Sequence, residues 1–533
     1  MSFPRASGVL LHPTSLPGRF GVGDLGPEAR RFVDFLADAR QTLWQVLPLG
    51  PTGYADSPYQ SFSAHAGNAL LVSPDLLVED GLLDAADIEH APRFDPERAD
   101  YGAAIEFKSR LHARAFENFN AGRGRGLRAD FDEFREREAG WLEDYALFRA
   151  IKSERGEVSW VEWEQPLALR QPEALAAARE HLKDRIEAQR FRQFLFFRQW
   201  NALRAYCHGR GIKIVGDIPI FVAHDSSDVW ARPGLFKLDE RGRPRVVAGV
   251  PPDYFSRTGQ LWGNPLYEWE AHLAENFAWW INRFRGALRT VDIVRVDHFR
   301  GFAAAWEIPG GDETAERGRW VKAPGQELFA AVRDALGELP IFAEDLGVIT
   351  PDVEELRDRF GFPSMRILQF GFNEPPHLPH NYSRNMCVYT GTHDNDTTVG
   401  WFNSEAGVGS TRTSEQIERE RRLALDYLAS DGREINWDFI RAVFASAADT
   451  AIVPAQDILG LGSGARMNLP ATTSGNWSWR FPAGALNAEH AARLKKFSEL
   501  YERNVTAKPA GDSASEREGK RPGHEVSNPG AAA

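Results

Sequence analysis

Ile293-Val294-Arg295-Val296-Asp297-His298 carries the reading of the fold. Charged and apolar residues alternate through it at the period of a β-strand, so Arg295 and Asp297 share a face. A carboxylate beside a guanidinium is held ionised, as a nucleophile at an acetal carbon requires. The same pair could equally be a salt bridge that closes a sheet. The rest of the chain decides.

Seven further apolar runs accompany this one: Gly8 to His12, Leu43 to Leu49, Ile212 to Asp217, Pro340 to Asp345, Met365 to Phe370, Cys387 to Thr392 and Ala451 to Leu459. Helical patterns fall between many of them. One opens at Gly26-Pro27, with proline suited to the first helical position, and runs to about Ala39. Another opens at Thr350-Pro351-Asp352. The alternation predicts the α/β class and a (β/α)8 TIM barrel, although a doubly wound sheet would alternate likewise. The polar residues favour the barrel. Asp217, Asp297, Glu344-Asp345 and His393-Asp394 each end a different run, and barrel active sites are assembled from those ends.

A barrel takes only about 250 residues, so large inserted subdomains are expected at its C-terminal face. The catalytic barrel is read as 1–506, with insertions at about 51–189 and 221–270. The first is helical in its later part, and the second is loop-rich and forms an active-site cover. From about 507 to 533 the chain lacks periodicity and is expected to be a disordered tail. Gly122-Arg123-Gly124-Arg125-Gly126 follows no strand and reads as an exposed turn.

Composition narrows the function classes. Hydrophobic residues at 43% and charged residues at 26% allow a sizeable core. A net charge of -12 repels phosphate backbones and argues against nucleic acid. Two cysteines are too few for a disulfide framework or a Cys-based zinc site. No apolar stretch reaches the ~18 residues that span a bilayer, and Met1 to Arg5 has no secretory apolar region. The expectation is a cytoplasmic monomer with no membrane association. Sixteen Trp and 34 Phe are generous, and many aromatics lie in Gly/Pro-rich loops. There they either fill the core or serve as flat binding platforms.

The polar strand ends suggest the chemistry. Glu344 follows an apolar strand, and a glutamate in a partly apolar cleft can act as a general acid. Thr390 to Asp396 is a polar cluster whose His393 and Asp394 are of metal-ligating type. With no second His at helical spacing, hydrogen bonding to sugar hydroxyls fits it better, and neither metal nor cofactor is expected. Two carboxylates flanking a scissile bond are the usual machinery of glycoside chemistry. The residues therefore read as a carbohydrate-active barrel.

Longer motifs add a resemblance. Ser7-Gly8-Val9-Leu10-Leu11-His12-Pro13-Thr14-Ser15, Ser57-Pro58-Tyr59-Gln60-Ser61, Gly216-Asp217-Ile218-Pro219, Leu261-Trp262-Gly263-Asn264-Pro265, Arg295-Val296-Asp297-His298, Ala343-Glu344-Asp345-Leu346-Gly347, Gly391-Thr392-His393-Asp394-Asn395-Asp396 and Arg466-Met467-Asn468 occur in that order. Together they resemble the amylomaltases, the 4-α-glucanotransferase or disproportionating-enzyme family of the α-amylase clan. The resemblance implies Asp297 as nucleophile, Glu344 as general acid and then base, and Asp394 as transition-state stabiliser. It implies that Arg295, His298, His393 and Asp217 line the reacting subsite. Trp262, Tyr59, Ser57, Asp253, Gln260 and Asn468 would contact the glucan, and Tyr54 an outer groove. The implied partners are α-1,4-glucans: maltooligosaccharides, amylose, starch or glycogen. Asp217 is followed by Ile218-Pro219-Ile220-Phe221, without the Asn-His pair of general α-amylases. Family members usually carry Gly where Ala55 and Ala471 stand, and an aromatic at His65. The rivals are an α-glucan hydrolase of the same clan and a non-catalytic glucan-binding protein.

Overall fold

The computed structural model describes residues 3–124, 126–252, 257–407 and 412–504, with the Tyr54 side chain left aside. Asp253 and the expected tail, 507–533, lie outside them.

Eight parallel strands make one sheet: β1 (Ala6–Leu10), β2 (Leu43–Gln45), β3 (Lys213–Ile218), β4 (Ile293–Val296), β5 (Ile341–Ala343), β6 (Ser364–Ile367), β7 (Met386–Tyr389) and β8 (Thr450–Pro454). Their order is β6-β7-β8-β1-β2-β3-β4-β5. The two end strands meet where the Ala343 N–H donates to the Pro363 carbonyl at 2.9 Å, which closes the barrel. Every residue of β1 and β8 is buried. Parallel strands covered on both faces read as continuous apolar runs, which is why these stand out in the sequence. Gly8 is needed where β1 approaches β2, because a Cβ there would meet the Leu43 carbonyl at 2.4 Å.

Except for β3, the strands stop sooner than the apolar runs. The run from Leu43 leaves the sheet after Gln45, and the run to Leu459 splits into β8 and a short helix, Ala455–Ile458. A buried strand and a buried helical turn look alike by periodicity, and Pro454 marks the change. Helices surround the sheet, among them Pro27–Asp38, Ala278–Thr290, Gly325–Leu336, Pro351–Arg359, Ile435–Ala445 and Ala488–Leu500. Between β6 and β7 the crossover carries only the short helix Leu368–Gly371 and two 3-10 turns.

The early insertion packs long helices, Tyr101–Asn120 and Leu127–Glu154, against Lys183–His208. Phe119, Phe131, Phe191 and Phe194 interlock between them. The third helix runs past residue 189 almost to β3, so it serves insertion and barrel alike. Gly122, Gly124 and Gly126 take left-handed φ values of 87°, 66° and 95°, Arg123 grips Asp84, and Arg125 lies outside the described residues.

The segment 221–270, read from the sequence as loop-rich, is not loop throughout. It holds two strands, Val246–Val250 and Gln260–Pro265. They join Ala304–Pro309 and Arg319–Lys322, from the β4–β5 connection, in a four-stranded antiparallel sheet. Strands this short and glycine-rich carry weak patterns, and half of this sheet comes from a distant part of the chain. Among the described residues no helix is long and apolar enough to cross a membrane.

Candidate functional site

Arg295 lies within β4 with its side chain almost fully buried, and three oxygens converge on it. Its Nη1 donates to both oxygens of Asp217, on neighbouring β3, at 2.8 and 2.7 Å. It also donates to Asp297 Oδ1 at 2.8 Å. The strand period thus places Arg295 and Asp297 on one face, as read from the sequence. Asp297 keeps about a quarter of its side chain exposed, whereas Asp217 has none. Burial raises the Asp217 carboxyl pKa and Arg295 opposes the rise.

Glu344 follows β5 and is aimed by backbone amides. The His298 N–H donates to its Oε2 at 2.7 Å and the Leu346 N–H to its Oε1 at 3.0 Å. His298 reaches that bond by taking a left-handed backbone, φ 48°. Burial pushes the Glu344 carboxyl up to about 7, with Asp297 adding to the rise and Arg295 working against it. Burial takes His298 down to about 4, so its ring is neutral near pH 7.

A second group comes from β7. His393 lies 3.4 Å from Asp394 Oδ2. Asp394 Oδ1 accepts from Asn468 at 2.6 Å, and its carbonyl from Arg466 at 2.6 Å. Tyr59 joins this group to the first. Its ring stacks on His393 at 5.1 Å, and its hydroxyl donates to Asp217 Oδ2 at 2.7 Å.

The strand Gln260–Pro265 contributes Trp262, whose ring meets His298 edge-on at 4.8 Å and whose indole N–H donates to Gln260 at 3.2 Å. Ser57 accepts from the Tyr59 backbone within its own loop. Tyr54 opens a 3-10 turn, and its side chain lies outside the description. The other candidates form two linked sets around one mouth. Asn468 grips Asp394 directly, a contact the expected role in glucan binding did not include. Among the described residues no cluster of three His, Cys, Asp or Glu could hold a metal ion.

A family model described as 4-alpha-glucanotransferase matches residues 11–486. The chain belongs to the 4-alpha-glucanotransferase family. The family's protein from Thermus thermophilus is 52% identical over 514 residues, covering 94% of this chain and 100% of that one. The Synechocystis 4-alpha-glucanotransferase is 51% identical over 508 residues, covering 94% and 98%. Among solved structures, the amylomaltase from Streptococcus agalactiae in complex with acarbose superposes with a TM-score of 0.88 at 42% identity, over 94% of this chain and 99% of that one.

Two features of this family member escaped the sequence reading. Arg466 was visible only as part of a motif, and its grip on Asp394 is tertiary. Trp477, with ring centroids 5.9 Å from both Tyr59 and His393, carries no local signal at all. Ala55 and Ala471 keep the left-handed backbone that suits glycine, at φ 54° and 63°. His65 acts as an aromatic filler, stacked on Trp141 at 6.2 Å.

Proposed function

We propose that this chain is a retaining 4-α-glucanotransferase that moves α-1,4-glucan segments from a maltooligosaccharide, starch or glycogen donor to the 4-hydroxyl of an acceptor glucan or glucose. The observation that carries the reading is the pairing of Asp297 with Arg295 beside a Glu344 whose pKa is lifted to about 7.

In the first step an oxygen of Asp297 attacks C1 of the reacting glucose. The bond from C1 to the leaving O4 breaks as Glu344 gives that oxygen its proton, and a glucosyl ester on Asp297 remains. In the second step the acceptor's 4-hydroxyl gives its proton to the Glu344 carboxylate and attacks C1, which frees Asp297. Glu344 must be protonated first and deprotonated next, and a pKa near working pH serves both. Asp394, held by Asn468 and Arg466, is the proposed grip on sugar hydroxyls that strengthens as C1 gains positive charge. Asp217, Arg295, His298 and His393 are the proposed lining of the reacting subsite. Tyr59, Ser57, Gln260, Trp262 and Asp253 are the proposed glucan contacts, with Tyr54 farther out. The proposed setting is the cytoplasm, which fits two cysteines that are buried and unpaired.

Transfer requires that a sugar reach the glucosyl ester before water does. Purified protein incubated with maltotriose is expected to make glucose and longer maltooligosaccharides while total reducing ends stay constant. A steady rise in reducing ends with no product longer than the substrate rejects transfer and leaves a hydrolase. Glucan binding without turnover leaves a binding protein.

A further inference from the structure

The helices Ser414–Leu428 and Ile435–Ala445 border an open hollow of about 430 Å³ on the outside of the barrel. Pro379, His380, Tyr427, Arg441, Ala445 and Tyr501 line it, with Leu428 and Ala442 as floor. His380 precedes β7, and the neighbouring Ser446 and Ala447 precede β8. Loops that lead into strands sit at the N-terminal end of a barrel, opposite the mouth that holds Asp297 and Glu344. The volume falls in the range of small-molecule sites. The cavity behind Tyr59 and Asp217, about 110 Å³, belongs to the site already described.

We propose that this hollow is a second α-glucan site, an inference that rests on the glucanotransferase reading. The lining suits a pyranose, which has apolar faces and a rim of hydroxyls. Tyr427 and Tyr501 are both part-exposed aromatic rings, and both are held. The Tyr427 hydroxyl is bonded to the His380 N–H at 3.2 Å and to its Nδ1 at 3.0 Å. The Tyr501 carbonyl accepts from Arg5 Nε at 2.8 Å, and its ring packs on Phe497 at 6.3 Å. Pre-set rings lower the ordering cost of binding. Arg441 and His380, both exposed, offer N–H donors at the rim. No carboxylate lines the hollow among the described residues, and a neutral polyol asks for none. A net charge of -12 works against an anionic ligand instead. A long glucan has many equivalent segments, so one held here raises the concentration of its other segments near the enzyme. Maltotriose is too short to be held and cleaved at once.

The test uses the full chain carrying Glu344→Gln, so that glucan is bound without being consumed. Calorimetric titration with maltoheptaose is expected to resolve two classes of site, and the added pair Tyr427→Ala/Tyr501→Ala to leave one. Retardation in amylose-containing gels should weaken about tenfold, the equivalent of about 1.4 kcal/mol. In the active protein the same pair should leave kcat/KM for maltotriose unchanged while raising KM for amylose. Ala445→Trp, which fills the hollow and keeps both tyrosines, should act the same way and guards against misfolding of the double variant. A second class of site unaffected by either change overturns the proposal. So does a single class from the start, or inorganic phosphate binding at the hollow in place of maltoheptaose. Loss of all glucan binding in Glu344→Gln alone would strike the glucanotransferase reading itself.

Discussion

Glu344 sits between opposing influences. Burial and the nearby Asp297 favour its neutral form, while Arg295 and two backbone N–H groups favour the carboxylate. Turnover of natural glucans is expected to fall as pH rises past about 7, where the acid loses its proton. Glu344→Gln should abolish that limb, slow natural donors by about 10²- to 10⁴-fold, and still permit loading from a glucosyl fluoride. Linkage gives a second readout. Between the ordinary glutamate value and about 7 the folded chain holds a proton that the unfolded chain has released. The group's contribution to stability is therefore lost as pH rises through that window. The Tm of Glu344→Gln minus that of wild type should grow from pH 5 to pH 8 in thermal melts, and a flat difference would contradict the raised pKa. Ala471 offers a simpler test. An L-residue in the left-handed region is strained, so Ala471→Gly, at φ 63°, should stabilise by up to about 1 kcal/mol in denaturant titrations without altering turnover.

At the scale of elements, the barrel closes weakly between β5 and β6, and a side chain reinforces the closure. Asp345 accepts from the Met365 N–H at 2.8 Å and from Arg357 at 2.6 Å, with Arg366 at 3.5 Å. It follows Glu344 directly, so the bond that holds the seam also holds the acid's peptide. Asp345→Ala leaves the buried Met365 N–H without its acceptor and removes one partner each from Arg357 and Arg366, which keep Asp358 and the Met365 carbonyl. It should cost about 2 kcal/mol and lower kcat more than it raises KM; unchanged melting would show that the seam does not depend on it. The four-stranded sheet makes a different demand. Trp262 is half-buried and touches His298 from above the mouth. Trp262→Ala should weaken glucan turnover with little change in Tm, whereas a core tryptophan would lose about 3 kcal/mol or more. Melting and kinetics on the same variant separate the two.

Over the whole molecule, the two ends of the described chain are clasped beneath the barrel. Ala6 bridges to Asn504. The fully buried Arg503 donates to the carbonyls of Phe444, Ala6, Asp449, Val443 and Ser446. One guanidinium, just past the last helix, thus ties β1, the approach to β8 and the end of the helix Ile435–Ala445 together. Arg503→Met fills similar volume but strands those carbonyls. It should destabilise by about 3 kcal/mol while activity well below the melting range stays near wild type. A variant that melts like wild type would mean water satisfies the same carbonyls.

The strands, their order and the acids at their ends were legible because each rests on local pattern. A strand buried on both faces must be continuously apolar, and a carboxylate breaks that run where the strand ends. Asp217, Asp297, Glu344 and Asp394 could be found this way, and the alternation in Arg295-Val296-Asp297 predicted that Arg295 and Asp297 share a face. What the pattern could not carry was any contact between residues far apart in the chain. Arg466 on Asp394, Trp477 beside Tyr59 and His393, and the sheet built half from 246–265 and half from 304–322 became visible only in three dimensions. So did the left-handed turn at His298 that hands an amide to Glu344. Hydrophobic periodicity records which face of an element is buried, and says nothing of which other element covers it.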